Sequence, residues 1–230
     1  MHKVSCLIPA YNEGTRIASI LSVVCNHPLI NEVIVINDCS TDNTSKVVME
    51  YKNIHLINNK ENKGKSATIV AGIKEATGDI LCLIDADLIG LTTENITNLI
   101  EPVISDKTDV SISVRRISPI MDKIYQIIGM DFISGERVFK KSLIQNHLEE
   151  IACLPRFSLE TFLNKIFIKN KTRIKIVFWD NVRSPLKSKK FGFIEGTKRE
   201  ISMFSNILKT ASIFEILNQL KNMRRLIIRQ

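Results

Sequence analysis

The sequence predicts an α/β protein with a mainly parallel central sheet and helices on both faces. Three observations carry that expectation. Short apolar runs rich in branched residues recur at Val4–Ile8, Val33–Ile36, Ile54–Ile57 and Ile80–Ile84. Between them lie stretches whose apolar residues fall at helical spacing, which is the pattern of a parallel sheet covered on both sides. The run Ile80–Asp87 then stops in Asp85-Ala86-Asp87, two carboxylates spaced two apart. Such a pair is either two solvated loop aspartates or a set of charges needed at the strand's carboxyl edge, which is where open α/β sheets bind ligands.

Taken in order, the first run meets Pro9 and is expected to stop there. A loop Pro9–Gly14 follows, and Ile17, Ile20, Leu21 and Val24 mark the first helix. The second run ends in Asn37-Asp38-Cys39-Ser40-Thr41-Asp42, a cluster of turn and N-cap residues. A helix through Val47, Val48 and Tyr51 leads to the third run. Polar residues 58–65 open a helix through Ile69, Ala71 and Ile73, with Gly78 expected near its C-cap. A helix over 96–104 and a strand over 110–114 continue the alternation.

The second half reads less regularly. A strand is expected within 131–139, a helix over 141–150, a helix over 159–168 and a strand over 173–179. Residues 184–196 hold proline, glycines and basic residues, and read as a mobile loop. Phe204, Ile207, Leu208, Ala211, Phe214, Leu217 and Leu220 form one helical stripe that runs into a basic end. Packing on the domain or a partner is the commoner use of such a stripe; lying on an anionic membrane is the sharper alternative. The organisation expected is a domain over 1–196, divided into a nucleotide half (1–114) and an acceptor half (115–196), followed by a helical extension over 197–230.

The 230 residues are 44% hydrophobic and 24% charged, enough for a sizeable core. No apolar stretch reaches the ~18 residues of a membrane-spanning helix, and the start does not read as a signal peptide. The five scattered cysteines suit a reduced, cytoplasmic protein, with no zinc or disulfide framework. Charge is uneven. Residues 1–110 hold nine Lys+Arg against fourteen Asp+Glu, net −5, and residues 111–230 hold 23 against ten, net +13. A basic half suits phosphates or anionic lipid, although a plainly solvated basic surface is as common. No nucleic-acid partner is expected.

Three predicted strand ends along one edge now read Pro-Ala-Tyr-Asn-Glu (Pro9–Glu13), Asn-Asp-Cys-Ser-Thr-Asp (Asn37–Asp42) and Asp-Ala-Asp (Asp85–Asp87). With Asn62-Lys63-Gly64-Lys65 and Gly72 between the second and third, this order resembles the inverting glycosyltransferases of family 2, which have the GT-A fold. The second motif departs from that family's usual Val-Asp-Asp-Gly-Ser-Thr-Asp, with Asn37 for the first Asp and Cys39 for Gly. The resemblance is strong over residues 4–90 and weaker to about residue 180. Ser134–Phe139 looks like the segment that follows DxD in the dolichol- and polyprenyl-phosphate sugar transferases.

The resemblance implies a UDP- or GDP-sugar donor and a Mg²⁺ or Mn²⁺ cofactor. Pro9, Ala10, Tyr11 and Glu13 would wrap base and ribose, and Asp38 would accept from the base. Asp85 with Ala86 would face the ribose or a metal-bound water, and Asp87 would bind the cation. Lys65 would add charge near phosphate, with an ordinary solvated lysine as the competing reading. Glu160 is the candidate base, without the family's usual Glu-Asp pair. Arg115, Arg116 and Arg137 would meet the acceptor, a lipid phosphate or a glycan. A lipid acceptor would place the protein at the inner face of the membrane.

Two other readings compete. A P-loop NTPase would explain Gly64-Lys65-Ser66 before a helix, but the glycine required five residues earlier is Asn59. A non-catalytic relative that only binds sugar nucleotide would fit Asn37 and Cys39, but not the intact Asp38, Asp85 and Asp87.

Overall fold

The computed structural model describes residues 2–116, 130–155, 158–185 and 213–228. Its seven strands are β1 (Val4–Ala10), β2 (Glu32–Asn37), β3 (Ile54–Asn58), β4 (Ile80–Leu83), β5 (Val110–Arg115), β6 (Arg137–Lys140) and β7 (Ile174–Trp179). They form one sheet in the order β3-β2-β1-β4-β6-β5-β7, parallel except for β6, which runs antiparallel to both neighbours. The chain walks outward from β1 to β3 and then returns to add β4 on the other side of β1. The direction of winding therefore reverses between β1 and β4, and the crevice at their carboxyl ends is the expected ligand site of such a sheet.

Alternation along each strand feeds two cores. On β1, Val4, Cys6, Ile8 and Ala10 enter one layer and Leu7 the other. The first layer is closed by α1 (Ile17–Val24), α2 (Thr44–Met49) and α4 (Thr93–Ile104), through Ile17, Ile20, Leu21, Ile96, Leu99 and Ile100. The second is closed by α3 (Lys65–Glu75), α5 (Leu148–Ala152), α6 (Leu159–Lys169) and α7 (Ile213–Leu226).

Four local expectations change. β1 runs through Pro9 to Ala10. Leu7 O accepts from Ile84 N on the β4 side and Ala10 O from Asp38 N on the β2 side. Pro9 therefore faces the β4 side, where β4 has already ended at Leu83, and its missing N–H leaves no gap in a ladder. Gly78 does not cap α3, which ends on the extended Ala76. A Cβ at 78 would lie 2.6 Å from Lys3 O and 2.4 Å from Ser5 Oγ, so glycine is there because backbone and side chain crowd it. The helix expected over 141–150 is two tight 3-10 turns followed by the five-residue α5. Asp79 O and Ala76 O hold the amide and ammonium of Lys141, and Asn146 and His147 that follow are weaker helix formers. α2 stops at Met49, and Tyr51 instead donates its hydroxyl to Ala18 O at 3.0 Å.

The loop read over 184–196 and the stripe over 204–211 lie outside the described residues, apart from Ser184 and Pro185. Among the described residues, only the last member of that stripe packs on the chain's own core. Leu220 is buried, as is Met223 beyond it, and Gln219 Nε2 donates to Thr161 O of α6, while Leu217 is exposed. Ile227 then bridges to Ile174 at the start of β7. No helix among the described residues is long and apolar enough to cross a membrane.

At the amino edge of the sheet, His2 joins two acids. Its Nδ1 lies 2.5 Å from Asp79 and its Nε2 3.1 Å from Asp106. Hydrogen bonds to Asp79 and then Asp106 raise the His2 pKa above its ordinary 6.5. Lys140 and then His2 pull Asp106 down to about 2. A raised histidine stabilises the fold fully below its unfolded value, and that contribution disappears as pH rises through the folded value. The acids contribute above their unfolded values and lose that contribution on acidification. The cluster is therefore strongest between about pH 4 and 6.5. Thermal melts of wild type should decline from pH 6 to pH 8.5 by more than those of His2→Gln. The difference should be small, because the cluster is solvent-screened.

Candidate active site

The carboxyl edge of the sheet is built first from two interlocked loops. After β1 the chain turns at Asn12, which adopts a left-handed φ of 57°. Asn12 N donates to Ser40 Oγ at 2.9 Å, and Asn12 Oδ1 accepts from Thr41 N at 2.8 Å. Glu13 N and Gly14 N donate to Thr44 Oγ1 and Asp42 Oδ2. The loop after β1 is thus tied to the loop after β2. Tyr11 is left exposed on top, while Glu13 is buried against Arg16 at 3.2 Å.

Asp38 follows β2 and is buried. Its Oδ1 accepts from Asn59 Nδ2 and Lys63 N, and its Oδ2 from Gly64 N, each at 2.9 Å. The glycine-containing turn that a P-loop would fold around phosphates is wrapped around this carboxylate. Three of about four acceptor positions on Asp38 are filled, which leaves room for one further donor. Asp38 therefore fixes the turn that launches α3, and with it Lys65, the first residue of that helix.

Lys65 reaches across to β4 and α6. Its Nζ lies 2.8 Å from Asp85 Oδ1 and 3.0 Å from Glu160 Oε1. Burial pulls the Lys65 pKa down, but the two carboxylates outweigh burial and the net shift is upward. The ammonium is firmly charged. Asp85 and Asp87 are half-buried and alternate with Ile84, Ala86 and Leu88, which enter the core. Past the end of β4 the chain turns at 86–87, with both acids at the crevice while Ile84, Ala86 and Leu88 anchor the backbone in the core.

Before β6, the turn Ser134-Gly135-Glu136 closes over this group. A Cβ on Gly135 would stand 2.7 Å from Lys65 Nζ and 2.8 Å from Asp85 Oδ2, so a larger residue would push the ends of these two side chains aside. β6 then carries Arg137 inward. Its guanidinium is fully buried and donates to Phe132 O, Ser134 O and Asn164 Oδ1. Burial lowers its pKa, opposed by Glu160, Glu136 and Asp85. Arg137 was expected to meet the acceptor; in this arrangement it braces the turn from beneath and offers no surface. Arg115 and Arg116 end β5. Arg115 Nη1 lies 3.9 Å from Glu136 Oε1 and also donates to Ser184 Oγ. Arg116 is more exposed, over the Phe178 ring at 4.4 Å and 3.5 Å from Asp180.

The structure thus brings Lys65, Asp85 and Glu160 into contact, with Asp38 one turn away, and leaves Arg116 on the rim. Sequence reasoning marked the segment Ser134–Phe139 without a role for Ser134 or Glu136 individually, and gave no site role to Asn59 or Ser113. Two serines facing the core side of β5, Ser111 and Ser113, are a signal that something polar is buried there.

Asp85 and Asp87 supply hard oxygens of the type Mg²⁺ or Mn²⁺ accepts. No group of three or more His, Cys, Asp or Glu among the described residues would hold a metal by itself. A cation at this edge would therefore take its remaining ligands from phosphate and water, the usual mode for Mg²⁺. The residues fit a metal that arrives with a diphosphate.

Comparison with known proteins gives the family and the fold. The sequence profile described as Glycosyl transferase family 2 matches residues 5–163. A dolichyl-phosphate beta-glucosyltransferase of Trichomonas vaginalis is 37% identical over 97 residues, covering 36% of this chain and 30% of that protein. A dolichol-phosphate mannosyltransferase of Pyrococcus furiosus is 34% identical over 120 residues, covering 50% of this chain and 34% of that protein. The chain spans about a third of the length of these relatives. Glucosyl-3-phosphoglycerate synthase from Mycobacterium tuberculosis, solved with Mn²⁺, UDP and glucosyl-3-phosphoglycerate, superposes with a TM-score of 0.69 at 18% identity, covering 90% of this chain and 79% of that one. That likeness shows the fold, which is the GT-A arrangement.

Proposed function

The chain belongs to glycosyltransferase family 2, and from that premise we propose that it transfers a sugar from a UDP- or GDP-sugar to a polyprenyl phosphate. The observation that carries this reading is the contact group Lys65–Asp85–Glu160 at the point where the sheet reverses its winding. The donor's base and ribose would lie on the loops at Pro9–Glu13 and Asp38, with the diphosphate toward Asp85, Ala86, Asp87 and Lys65. Asp87, with Asp85, would hold Mg²⁺ or Mn²⁺. When bound, that ion neutralises the diphosphate as it leaves. Lys65 adds a fixed positive charge on the same side, where charge develops in the leaving group.

An inverting transfer to a hydroxyl needs a base, whereas a phosphate acceptor arrives as an anion and needs none. Glu160 is the one described carboxylate placed for the task, and it is already paired with Lys65. A proton taken up there would break that pair. The arrangement favours an anionic acceptor, met by Arg115 and Arg116 at the end of β5, while the buried Arg137 holds the turn before β6. The basic second half and the Lys221–Arg225 end of α7 suit an anionic membrane surface, which would bring the lipid acceptor within reach. Vesicle flotation at low salt checks this last point; no binding to anionic vesicles rejects it.

The second reading is a glycan acceptor with Glu160 as base, favoured by the position of Glu160 alone. Glu160→Gln separates the two. With a phosphate acceptor, kcat should fall by roughly tenfold or less; with a hydroxyl acceptor, the loss should be about 10²- to 10⁴-fold. The function itself is tested by incubating the protein with a panel of sugar nucleotides, Mg²⁺ or Mn²⁺ and a short-chain polyprenyl phosphate, with products read by mass spectrometry. A polyprenyl-phosphate sugar is expected. Metal-independent nucleotide binding with no transfer to any acceptor would favour the non-catalytic reading instead.

A further inference from the structure

Behind the acceptor side of the site lies a buried carboxylate to which the mechanism above gives no task. Glu136 stands opposite Ser113 on β5, and Ser113 N donates to Glu136 O at 3.0 Å. Because Arg137 turns to the α6 side, Glu136 turns to the α4 side of the sheet. Its side chain is fully buried. Ser113 Oγ donates to its Oε2 at 3.0 Å and Ser134 Oγ at 2.7 Å. Its other oxygen, Oε1, has no hydrogen-bond partner among the described residues. That oxygen faces the Arg115 guanidinium at 3.9 Å.

A carboxylate is a costly choice for this place. Glutamine has the same shape, would keep both serine contacts and would bury no charge. Buried ion pairs seldom repay their desolvation in stability. The arrangement makes sense if the charge is used to hold the guanidinium. Arg115 is only partly buried, and its outer contact is the Ser184 hydroxyl, which is neutral. Without an inner anchor its long side chain would sample many rotamers. The same turn also carries Gly135, which packs against Lys65 and Asp85. One short segment therefore sets the distance between the donor group and the arginine.

We propose that Glu136 is a positioning residue that holds Arg115 in place for the anionic acceptor, a role that rests on the acceptor reading given above. It acts through Arg115 and does not touch the reacting atoms. The nearby Arg137 guanidinium contributes charge to Glu136 but is committed to Phe132, Ser134 and Asn164.

The test follows the Nε–H resonance of Arg115 in ¹⁵N-labelled protein, assigned by its absence in Arg115→Ala. In the wild type it should be dispersed, and it should shift on adding a short-chain polyprenyl phosphate. In Glu136→Gln it should collapse toward the position of a free arginine, and the acceptor KM should rise about tenfold with little change in kcat, the signature of lost binding. In the Arg115→Ala background, Glu136→Gln should add almost nothing, because the two act as one unit. Should Glu136→Gln fail to fold, Ser113→Ala removes one of its two donors and should displace the same resonance by less. An unchanged Arg115 resonance, or penalties that simply add, overturns the proposal. A wild-type resonance that ignores polyprenyl phosphate, yet collapses in Glu136→Gln, leaves the Glu136–Arg115 link standing and removes the acceptor reading.

Discussion

Asp87→Ala should lower transfer by about a thousandfold or more while the fold survives. In the transfer proposed above, a cation held by Asp87 would neutralise the leaving diphosphate, an effect worth several kcal/mol of barrier. At 1.36 kcal/mol per tenfold, losing about 4 kcal/mol removes three orders of magnitude. The fold should tolerate the change because Ile84, Ala86 and Leu88 carry the core contacts of this segment, while Asp87 is half-buried at the crevice. Calorimetric titration of Mn²⁺ in the presence of a UDP- or GDP-sugar, beside a melting curve, reads both effects. Wild-type turnover at saturating Mn²⁺ would remove Asp87 from the metal. Asp85→Asn should behave differently. It weakens the same site and also releases Lys65, so its melting temperature should fall as well.

The second large effect is on stability. Arg137→Met should destabilise the protein by about 3 kcal/mol or more, because breaking a buried, fully bonded charge strands its partners. Asn164 Oδ1 and the carbonyl of Ser134 would lose their donor, while Phe132 O would keep Asn164 Nδ2 at 2.8 Å. For a chain of this size, each kcal/mol moves the melting point by about 2–4 °C, so a drop near 10 °C is expected by circular dichroism. Arg137→Lys should recover little of it, since an ammonium cannot serve these separate acceptors with one planar fork. An unchanged melting point with a raised acceptor KM would return Arg137 to direct contact with the acceptor.

The parts of the fold that periodicity encodes were legible in advance. The alternation of Cys6, Leu7 and Ile8 between two cores, and the stripe Ile17, Ile20, Leu21, Val24, are read directly from spacing. The sheet's mainly parallel character follows from the helices between its early strands. What was not legible depends on partners far along the chain. Pro9 looked like a strand end because its tolerance depends on where β4 stops. Arg137 was assigned to the acceptor because its inward orientation is set by the antiparallel pairing of β6, which no local pattern announces. Asp38 and Asp85 were found from strand-end motifs. The ion pairs of Lys65 join residues 65, 85 and 160, and no spacing rule connects those. The role of Glu136 was missed for the same reason: a glutamate in sequence gives no hint that two serines and an arginine surround it.

The pairing of Ile227 with Ile174, with Ile228 N donating to Ile174 O at 2.9 Å, has a consequence for how the molecule is assembled. β7 is the outermost strand of the sheet, and unpaired backbone on an outer strand is a template for joining another chain. Here the start of β7 is covered by residues more than fifty positions later in the chain. During synthesis the start of β7 lacks this partner until those residues have emerged, and an unpaired strand end in a nascent chain is a point of self-association. The segment that follows α7 thus works as a late-closing seam, protecting solubility at a place far from the chemistry.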